Sequence, residues 1–173
     1  KNSEKIPSLT SNDNPIPQTY HQRSQLNLRY TFENFIEGKS NMFAKAAAIN
    51  VSDSPGQTPY NPLLIYSNPG LGKTHLLQAI GNSVLRGNPN LKVVYLTSEK
   101  FMLDFISAIQ KNKSAEFSNT YRQVDMLLLD DAQFFQSKEA TQEQFFHLFN
   151  NLYQQGKQIV LTTDRHPNEL TKL

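Results

Sequence analysis

The chain has 173 residues, of which 38% are hydrophobic, and this is enough to bury one core, so we expect one folded domain. Cysteine is absent, which excludes a disulfide framework, a cysteine zinc site and a thiol nucleophile. The formal net charge of +2 permits nucleic-acid binding without requiring it, and no apolar run reaches the roughly 20 residues of a transmembrane helix, so we expect a cytoplasmic protein with no membrane-spanning segment.

The first 25 residues differ in composition from the rest of the chain. They are rich in Ser, Asn, Gln and Pro, and their apolar residues are too few to offset the entropy lost on ordering. We predict a flexible interdomain linker over residues 1–25 and a folded domain over residues 26–173. The chain starts at Lys1 and stops where a helix could begin after Pro167, so we expect it to be part of a longer protein.

Strand and helix patterns alternate after the predicted linker. Short apolar or β-branched runs typical of buried strands cover 63–67, 92–97, 124–131 and 158–164. Amphipathic helical patterns cover 40–53, 72–86, a segment that starts at 98, and 140–156. Strands separated by helical segments of this length imply right-handed crossovers. We therefore predict an α/β fold with a parallel sheet flanked by helices in three layers.

Particular residues are predicted to start or end these helices. Ser40 and Ser98 stand where an N-cap is expected, and Gly156 stands where the last helix should close. In the helix after Ser98, Phe101 and Phe105 recur at four-residue spacing, which indicates a buried face.

A glycine-rich loop follows the first predicted strand. Residues 67–74 read Ser-Asn-Pro-Gly-Leu-Gly-Lys-Thr, which matches the phosphate-binding loop except that Ser67 replaces the opening glycine. Since this position only leaves the strand, we expect a small residue with ordinary backbone angles to be tolerated there. Gly70 and Gly72 let the backbone N–H groups at the start of the next helix approach a phosphate.

The same loop carries the side chains expected to hold the nucleotide. Lys73 can reach the β- and γ-phosphates, and the hydroxyl of Thr74 can bind Mg²⁺. The residues predicted to contact the nucleotide are Asn68, Pro69, Gly70, Leu71, Gly72, Lys73, Thr74 and His75.

Acidic residues end two of the predicted strands. Asp130 and Asp131 follow an apolar run, and Asp164 ends the last strand. Ligands bind at the carboxyl ends of strands in open α/β sheets. We predict that Asp130 holds Mg²⁺ through water, that Asp131 orients or deprotonates the attacking water, and that Asp164 contacts the γ-phosphate or that water. The sequence thus predicts a P-loop NTPase that binds ATP or ADP with Mg²⁺.

These motifs and the segments between them resemble the AAA+ ATPase core of the DnaA family of bacterial replication initiators. The resemblance covers about residues 26–173, and "LNLRYTFENFIEGKSNMFAKAAA" and the segment after "TSEKF" carry it beyond the Walker motifs. The family binds ATP tightly, assembles as ATP-bound filaments on the replication origin and helps to melt the duplex. The resemblance implies as partners double- and single-stranded origin DNA and further copies of the protein, with the replicative helicase and regulatory proteins beside them.

The resemblance also assigns roles to regions outside the Walker motifs. Residues 32–41 match the segment that encloses adenine and ribose, although the aromatic residues in it are equally explained as ordinary core residues. The insertion over 98–122 resembles the family's motif for single-stranded DNA, with Lys111, Lys113 and Arg122 as the candidate phosphate contacts.

Family members carry further working parts after the core: an arginine for a neighbour's γ-phosphate, a helical lid and a helix-turn-helix domain. The resemblance therefore implies a core, truncated before the lid, that binds nucleotide better than it hydrolyses it, with weak ATPase activity only in the full-length assembly. A helicase loader or a regulatory paralogue of the initiator remains the alternative. Other classes are a small-molecule kinase, which the pair Asp130-Asp131 followed by a sensor strand disfavours, and a structural protein with a vestigial loop.

Overall fold

The computed structural model describes residues 24–136 and 138–169, so the predicted linker lies almost entirely outside the described residues. The described elements, in chain order, are α1 Met42–Asp53, β1 Leu63–Tyr66, α2 Lys73–Gly87, β2 Val93–Thr97, α3 Ser98–Gln110, α4 Ser114–Arg122, β3 Met126–Asp130, a 3-10 turn at Ala132–Phe135, α5 Glu139–Gln154, β4 Gln158–Thr163 and a 3-10 turn at Pro167–Glu169. No helix within these residues is long and apolar enough to cross a membrane.

The four strands form one parallel sheet in the order β1-β4-β3-β2. β4, the last strand in sequence, therefore lies between β1 and β3, and Val160 of β4 is in register with Leu63 on one side and Leu128 on the other. The carboxyl ends of all four strands meet at one edge of the sheet. The predicted parallel α/β sheet is confirmed.

Helices cover both faces of the sheet because the side chains of the central strands alternate between two cores. In β3, Met126 and Leu128 belong to the core formed with α1 and α2. The neighbouring residues Leu127 and Leu129 belong to a second core, formed with α3, α4 and α5. All four side chains are essentially inaccessible to solvent, and the three predicted layers are present.

Aromatic rings fill the second core. Phe101 of α3 is fully buried, and its ring centroid lies 5.3 Å from that of Phe117, 5.7 Å from that of Phe135 and 5.7 Å from that of Phe145. These rings come from α4, the first 3-10 turn and α5. The insertion predicted over 98–122 therefore consists of two helices that are packed into the domain through their aromatic residues.

Two predicted N-caps are wrong by one residue. Asn41, not Ser40, occupies the N-cap position of α1, and its side chain accepts a hydrogen bond from the N–H of Gly38 at 2.8 Å instead of from the helix. Thr97 caps α3, because its hydroxyl oxygen accepts a hydrogen bond from the backbone N–H of Lys100 at 3.1 Å. Ser98 is the first residue of that helix, and it is buried.

Buried polar groups hold the edge of the sheet at which the strands begin. The amide of Gln158 accepts the N–H of Gly56 at 2.9 Å and donates to the carbonyl of Tyr60 at 2.9 Å. Gly56 has φ +74°, and a Cβ there would lie 2.2 Å from the carbonyl oxygen of Gly156. Gly156 follows α5 with φ +68°, in the left-handed conformation expected of a closing glycine. This close approach requires glycine at position 56.

An ion pair lies at the same edge. Asp125 accepts hydrogen bonds from the ammonium of Lys157 at 2.7 Å and from the backbone N–H of Lys92 at 2.9 Å. Burial alone would raise the pKa of Asp125, but the hydrogen bonds from Lys157 and Lys92 outweigh that effect and hold the pKa below its usual range. The starts of β2, β3 and β4 are thereby tied together.

Candidate functional site

The loop over residues 67–72 joins β1 to α2 at the opposite edge of the sheet. Gly70 and Gly72 have φ values of +80° and +87°, which a side chain would strain. A Cβ on Gly72 would also lie 3.1 Å from the ring of Phe35. The two glycines therefore let the chain turn into α2 with its first backbone N–H groups at the mouth of the loop, as phosphate binding requires.

Lys73, the first residue of α2, lies against this loop. Its ammonium donates to the carbonyl oxygen of Ser67 at 2.8 Å and to that of Asn68 at 3.2 Å. The N–H of Ser67 donates to the carbonyl of Thr163 at 3.3 Å and so extends the β1–β4 ladder by one bond. Ser67 is not among the described non-glycine residues with positive φ, so the serine leaves the strand without backbone strain.

A buried carboxylate lies behind the loop. Asp130, at the end of β3, is 2% exposed and accepts three hydroxyl hydrogen bonds: from Thr74 at 2.7 Å, from Tyr95 at 3.1 Å and from Thr162. Burial, and then the charge of Asp130, raise the pKa of Tyr95, so its hydroxyl remains a donor. None of the ion pairs in the described part of the chain includes Asp130.

The next residue, Asp131, lies in a sharp turn with φ +58°. Its N–H donates to the hydroxyl of Thr162 at 3.0 Å, and its carboxylate accepts from the amide of Gln133 at 3.1 Å. The oxygen of the same amide accepts the N–H of Asp164 at 3.3 Å. One carboxylate oxygen of Asp164 is buried and has no hydrogen-bond partner among the described residues.

These groups border a cleft of about 340 Å³. It is lined by Tyr30, Pro69, Gly70, Gly72, Lys73, Thr74, His75, Asp131 and Asp164. Most of the residues predicted for the site are thus brought together. Asp130 lies behind Thr74, and Asn68 contributes the carbonyl that Lys73 contacts. Leu71 lies apart from this cleft: it is 60% exposed and lines a second cleft of about 190 Å³.

The segment before α1 packs against the start of α2. The Nε2 atom of His75 lies 2.7 Å from the carbonyl oxygen of Thr31, and its ring centroid lies 5.0 Å from that of Tyr30. Of the segment predicted to enclose the base, Phe35, Ser40 and Asn41 line the second cleft. Phe32 packs against the first core, which agrees with the alternative interpretation that it is an ordinary core aromatic.

The family model for the bacterial DnaA ATPase domain matches residues 26–173. The chain belongs to this DnaA family. The chromosomal replication initiator protein DnaA of Lacticaseibacillus paracasei is 53% identical over 171 residues, which are 99% of this chain and 37% of that protein. DnaA of Levilactobacillus brevis is 57% identical over 159 residues, which are 92% of this chain and 35% of that protein. The chain thus spans little more than a third of these DnaA relatives.

Solved DnaA structures share the fold. Domain III of Thermotoga maritima DnaA is 50% identical with a TM-score of 0.82, over 86% of this chain and 61% of that one. AMPPCP-bound DnaA from Aquifex aeolicus, and a DnaA bound to AMPPCP and single-stranded DNA, are each 44% identical with a TM-score of 0.80, over 86% of this chain and 46% of those. The DnaC helicase loader, 16% identical with a TM-score of 0.65 over 80% of this chain and 78% of that one, shares the fold alone.

The residues predicted to contact DNA lie away from the loop cleft. Lys111 and Lys113 connect α3 to α4, are exposed, and line a separate cleft of about 260 Å³. The ammonium of Lys113 pairs with Glu116 at 3.0 Å. Arg122 is exposed at the end of α4. The three cations are therefore exposed to solvent, and their contact with single-stranded DNA stays a prediction.

The sequence did not reveal several residues of the site. Tyr30 comes two residues before the segment predicted to enclose the base. Tyr95 and Thr162 are polar residues within apolar strands, a signal that could have marked them as partners of Asp130. No local pattern distinguishes Gln133 from other surface glutamines, because its role depends on contacts across the sheet.

Proposed function

We propose that this chain binds ATP and ADP with Mg²⁺ and is the core through which a replication initiator assembles on origin DNA. The observation that supports this most is the 2.7 Å hydrogen bond from Thr74, beside the loop lysine, to the buried Asp130. This contact joins the phosphate loop to the end of β3, where a P-loop NTPase holds its metal ion. The AMPPCP-bound DnaA of Aquifex aeolicus supports the proposal.

The loop offers two kinds of positive group to a triphosphate. The N–H groups at the start of α2 and the helix dipole favour an anion. The ammonium of Lys73 contacts two loop carbonyls, and we propose that it would bind the β- and γ-phosphates in their place. Asp164 lines the same cleft, and we propose that its carboxylate contacts the γ-phosphate or the water beside it.

The oxygen atoms behind the loop fit a magnesium ion. Thr74 and Asp130 supply the hydroxyl and carboxylate oxygens that Mg²⁺ prefers. Asp130 is buried, and within the described residues it forms no ion pair with a cationic side chain. We propose that these two residues hold the ion, with Asp130 acting through water. When bound, Mg²⁺ neutralises charge on the β- and γ-phosphates. We propose that Asp131 would orient or deprotonate the attacking water, and that hydrolysis is slow and occurs in the assembled full-length protein.

Calorimetric titration of the chain with ATP and ADP, with Mg²⁺ and then with EDTA, tests the proposal. We expect saturable binding of one nucleotide that weakens when Mg²⁺ is removed, and weak binding of AMP as the control. If the heat released on adding ATP, and that on adding ADP, is no larger than the heat of dilution, the proposed function is overturned.

Exchanging Ser67 for glycine is expected to change ATP affinity by less than about 1 kcal/mol, because the phosphate is held by the N–H groups that follow this residue. Ser67 also has ordinary backbone angles and an intact ladder bond to β4. Side-by-side titration of the two proteins with a fluorescent ATP analogue measures the difference. A gain of tenfold or more, about 1.4 kcal/mol, would show that the serine impairs the loop.

We further propose that the exposed cations of α3 and α4 contact single-stranded DNA in the full-length assembly. The DnaA bound to AMPPCP and single-stranded DNA supports this. Binding of double-stranded origin DNA, the helicase and regulatory proteins is proposed for the full-length protein, with residues 1–25 as the linker to its preceding part.

Exchanging Lys111 for alanine in the full-length protein is expected to weaken single-stranded DNA binding and to lower the slope of log K against log salt by about 0.7, because one fewer counterion is released. Fluorescence anisotropy with a labelled oligonucleotide at four salt concentrations measures this slope. Lys92→Ala, which removes an exposed lysine at the opposite edge of the sheet, is the control. Equal slopes for both variants would contradict the assignment.

A further inference from the structure

The side chain of Gln133 uses both ends of its amide at the edge of the sheet. Its Nε2 donates to Oδ1 of Asp131 at 3.1 Å, and its Oε1 accepts the backbone N–H of Asp164 at 3.3 Å. A carboxylate can only accept and a backbone N–H can only donate, so the two partners together fix which way the amide points.

We infer that Gln133 is a positioning residue. Because it is anchored to the backbone of Asp164 at the end of β4, it sets the direction in which the Asp131 carboxylate points. The inference rests on the proposed function, in which Asp131 orients the attacking water. Gln133 itself does not line the described cleft, whereas both of its partners do. It therefore acts through Asp131 and not on the nucleotide.

The carboxylate of Asp131 needs such a partner because of the turn it occupies. Asp131 has a left-handed backbone, and its N–H donates to the hydroxyl of Thr162 at 3.0 Å. This contact holds the backbone but does not restrain the carboxylate of Asp131. The bond from Gln133 occupies Oδ1, while Oδ2 has no hydrogen bond within the described part of the chain. One oxygen is thus anchored, and the other is available to a water molecule.

The second bond of Gln133 ties this orientation to the segment that follows β4. Asp164 lines the cleft through its side chain and holds Gln133 through its backbone. A displacement of Asp164 toward or away from a bound phosphate would therefore move the amide and turn the Asp131 carboxylate. Gln133 links the proposed γ-phosphate contact to the proposed water-orienting group.

Gln136, on the same turn, offers a matched control. Its amide donates to the carbonyl of Glu169 at 3.0 Å, and so it also ties the turn to the segment after β4. This hydrogen bond involves neither Asp131 nor Asp164. Leucine replaces either glutamine with a similar volume and no hydrogen-bonding group, so a general loosening of this turn should follow from both substitutions.

The experiment uses the full-length protein with the variants Gln133→Leu, Gln136→Leu, Asp131→Asn and the double variant Gln133→Leu/Asp131→Asn. We expect ATP affinity within about threefold of the wild type in all four, and single-turnover hydrolysis slowed at least about tenfold by Gln133→Leu but unchanged by Gln136→Leu. The double variant should be no slower than Asp131→Asn, since Gln133 acts through Asp131. Multiplicative effects, or equal losses in both glutamine variants, would overturn the inference.

A second readout needs no nucleotide. In the Gln133→Leu protein the backbone N–H of Asp164 loses its acceptor, so its hydrogen exchange measured by NMR should be about fivefold to tenfold faster, with no change in Gln136→Leu. An unchanged exchange rate would overturn the contact itself. If the wild type fails to bind ATP, the proposed function fails. If it binds and hydrolyses ATP while Gln133→Leu does so equally well, only this inference fails.

Discussion

Replacing Lys73 with alanine is expected to weaken ATP binding at least about 100-fold, a loss of roughly 3 kcal/mol. Charge-assisted hydrogen bonds to phosphate are among the strongest polar contacts, and removing one partner of a desolvated pair costs about 2–5 kcal/mol. The ammonium of Lys73 lies inside the loop, 2.8 Å from the carbonyl of Ser67. No other lysine or arginine lines the described cleft. Isothermal titration with ATP measures the change.

The loop carbonyls that Lys73 contacts could also shift when the ammonium is removed, so the variant's melting temperature has to be measured with its affinity. Lys92→Ala, at the opposite edge of the sheet, removes the same charge and should leave ATP affinity within about twofold. A separate Lys73→Gln variant distinguishes the loss of the positive charge from the loss of the hydrogen bond, because glutamine keeps a hydrogen-bond donor on a shorter side chain. Wild-type affinity in a folded Lys73→Ala protein would refute the assignment of the site.

Exchanging Asp131 for asparagine is expected to slow ATP hydrolysis in the full-length protein by about 10²–10⁴-fold while ATP binding is retained, because this is the usual contribution of a positioned general base. Asparagine keeps the shape, and its side-chain oxygen can still accept the hydrogen bond that Gln133 donates at 3.1 Å. The turn should therefore stay intact while the charge is lost. Single-turnover measurement of phosphate release, with affinity measured in parallel, separates the two steps.

Asp53→Asn is the matched control for this variant, since Asp53 is an exposed carboxylate at the end of α1. It should hydrolyse ATP at the wild-type rate. If Asp131→Asn also turns over at that rate, Asp131 is a structural residue of the strand end. If it loses ATP binding instead, its carboxylate acts on the bound nucleotide and not on water.

Much of the fold follows from local sequence patterns. Apolar runs such as 126–129 are typical of strands buried in the middle of a sheet, and the helical segments between the runs favour parallel strands. Parallel strands place their carboxyl ends at one edge, so Thr74, Asp130 and Asp164 could be expected together before any contact was known. The loop glycines were likewise predictable, because their positive φ values are needed for the turn.

The rest of the site depends on which strands are neighbours. Because β4 lies between β1 and β3, Thr162 reaches both Asp130 and the N–H of Asp131, and Gln133 reaches Asp164. No spacing in the sequence specifies that order. The N-cap prediction at Ser98 failed for a related reason: its hydroxyl donates to the carbonyl of Asp130 at 3.1 Å, so a contact between neighbouring strands decides its role.

The close approach of Gly56 to Gly156 lies at the opposite edge of the sheet from the cleft. A side chain at position 56 would push two loops apart and break the bond to Gln158, which weakens the fold but leaves every group around the phosphate loop in place. We expect a chain with such a substitution to fold in the cold and to unfold on warming. Position 56 is therefore a site at which one substitution is expected to make the folded domain sensitive to heat without changing a residue that lines the cleft.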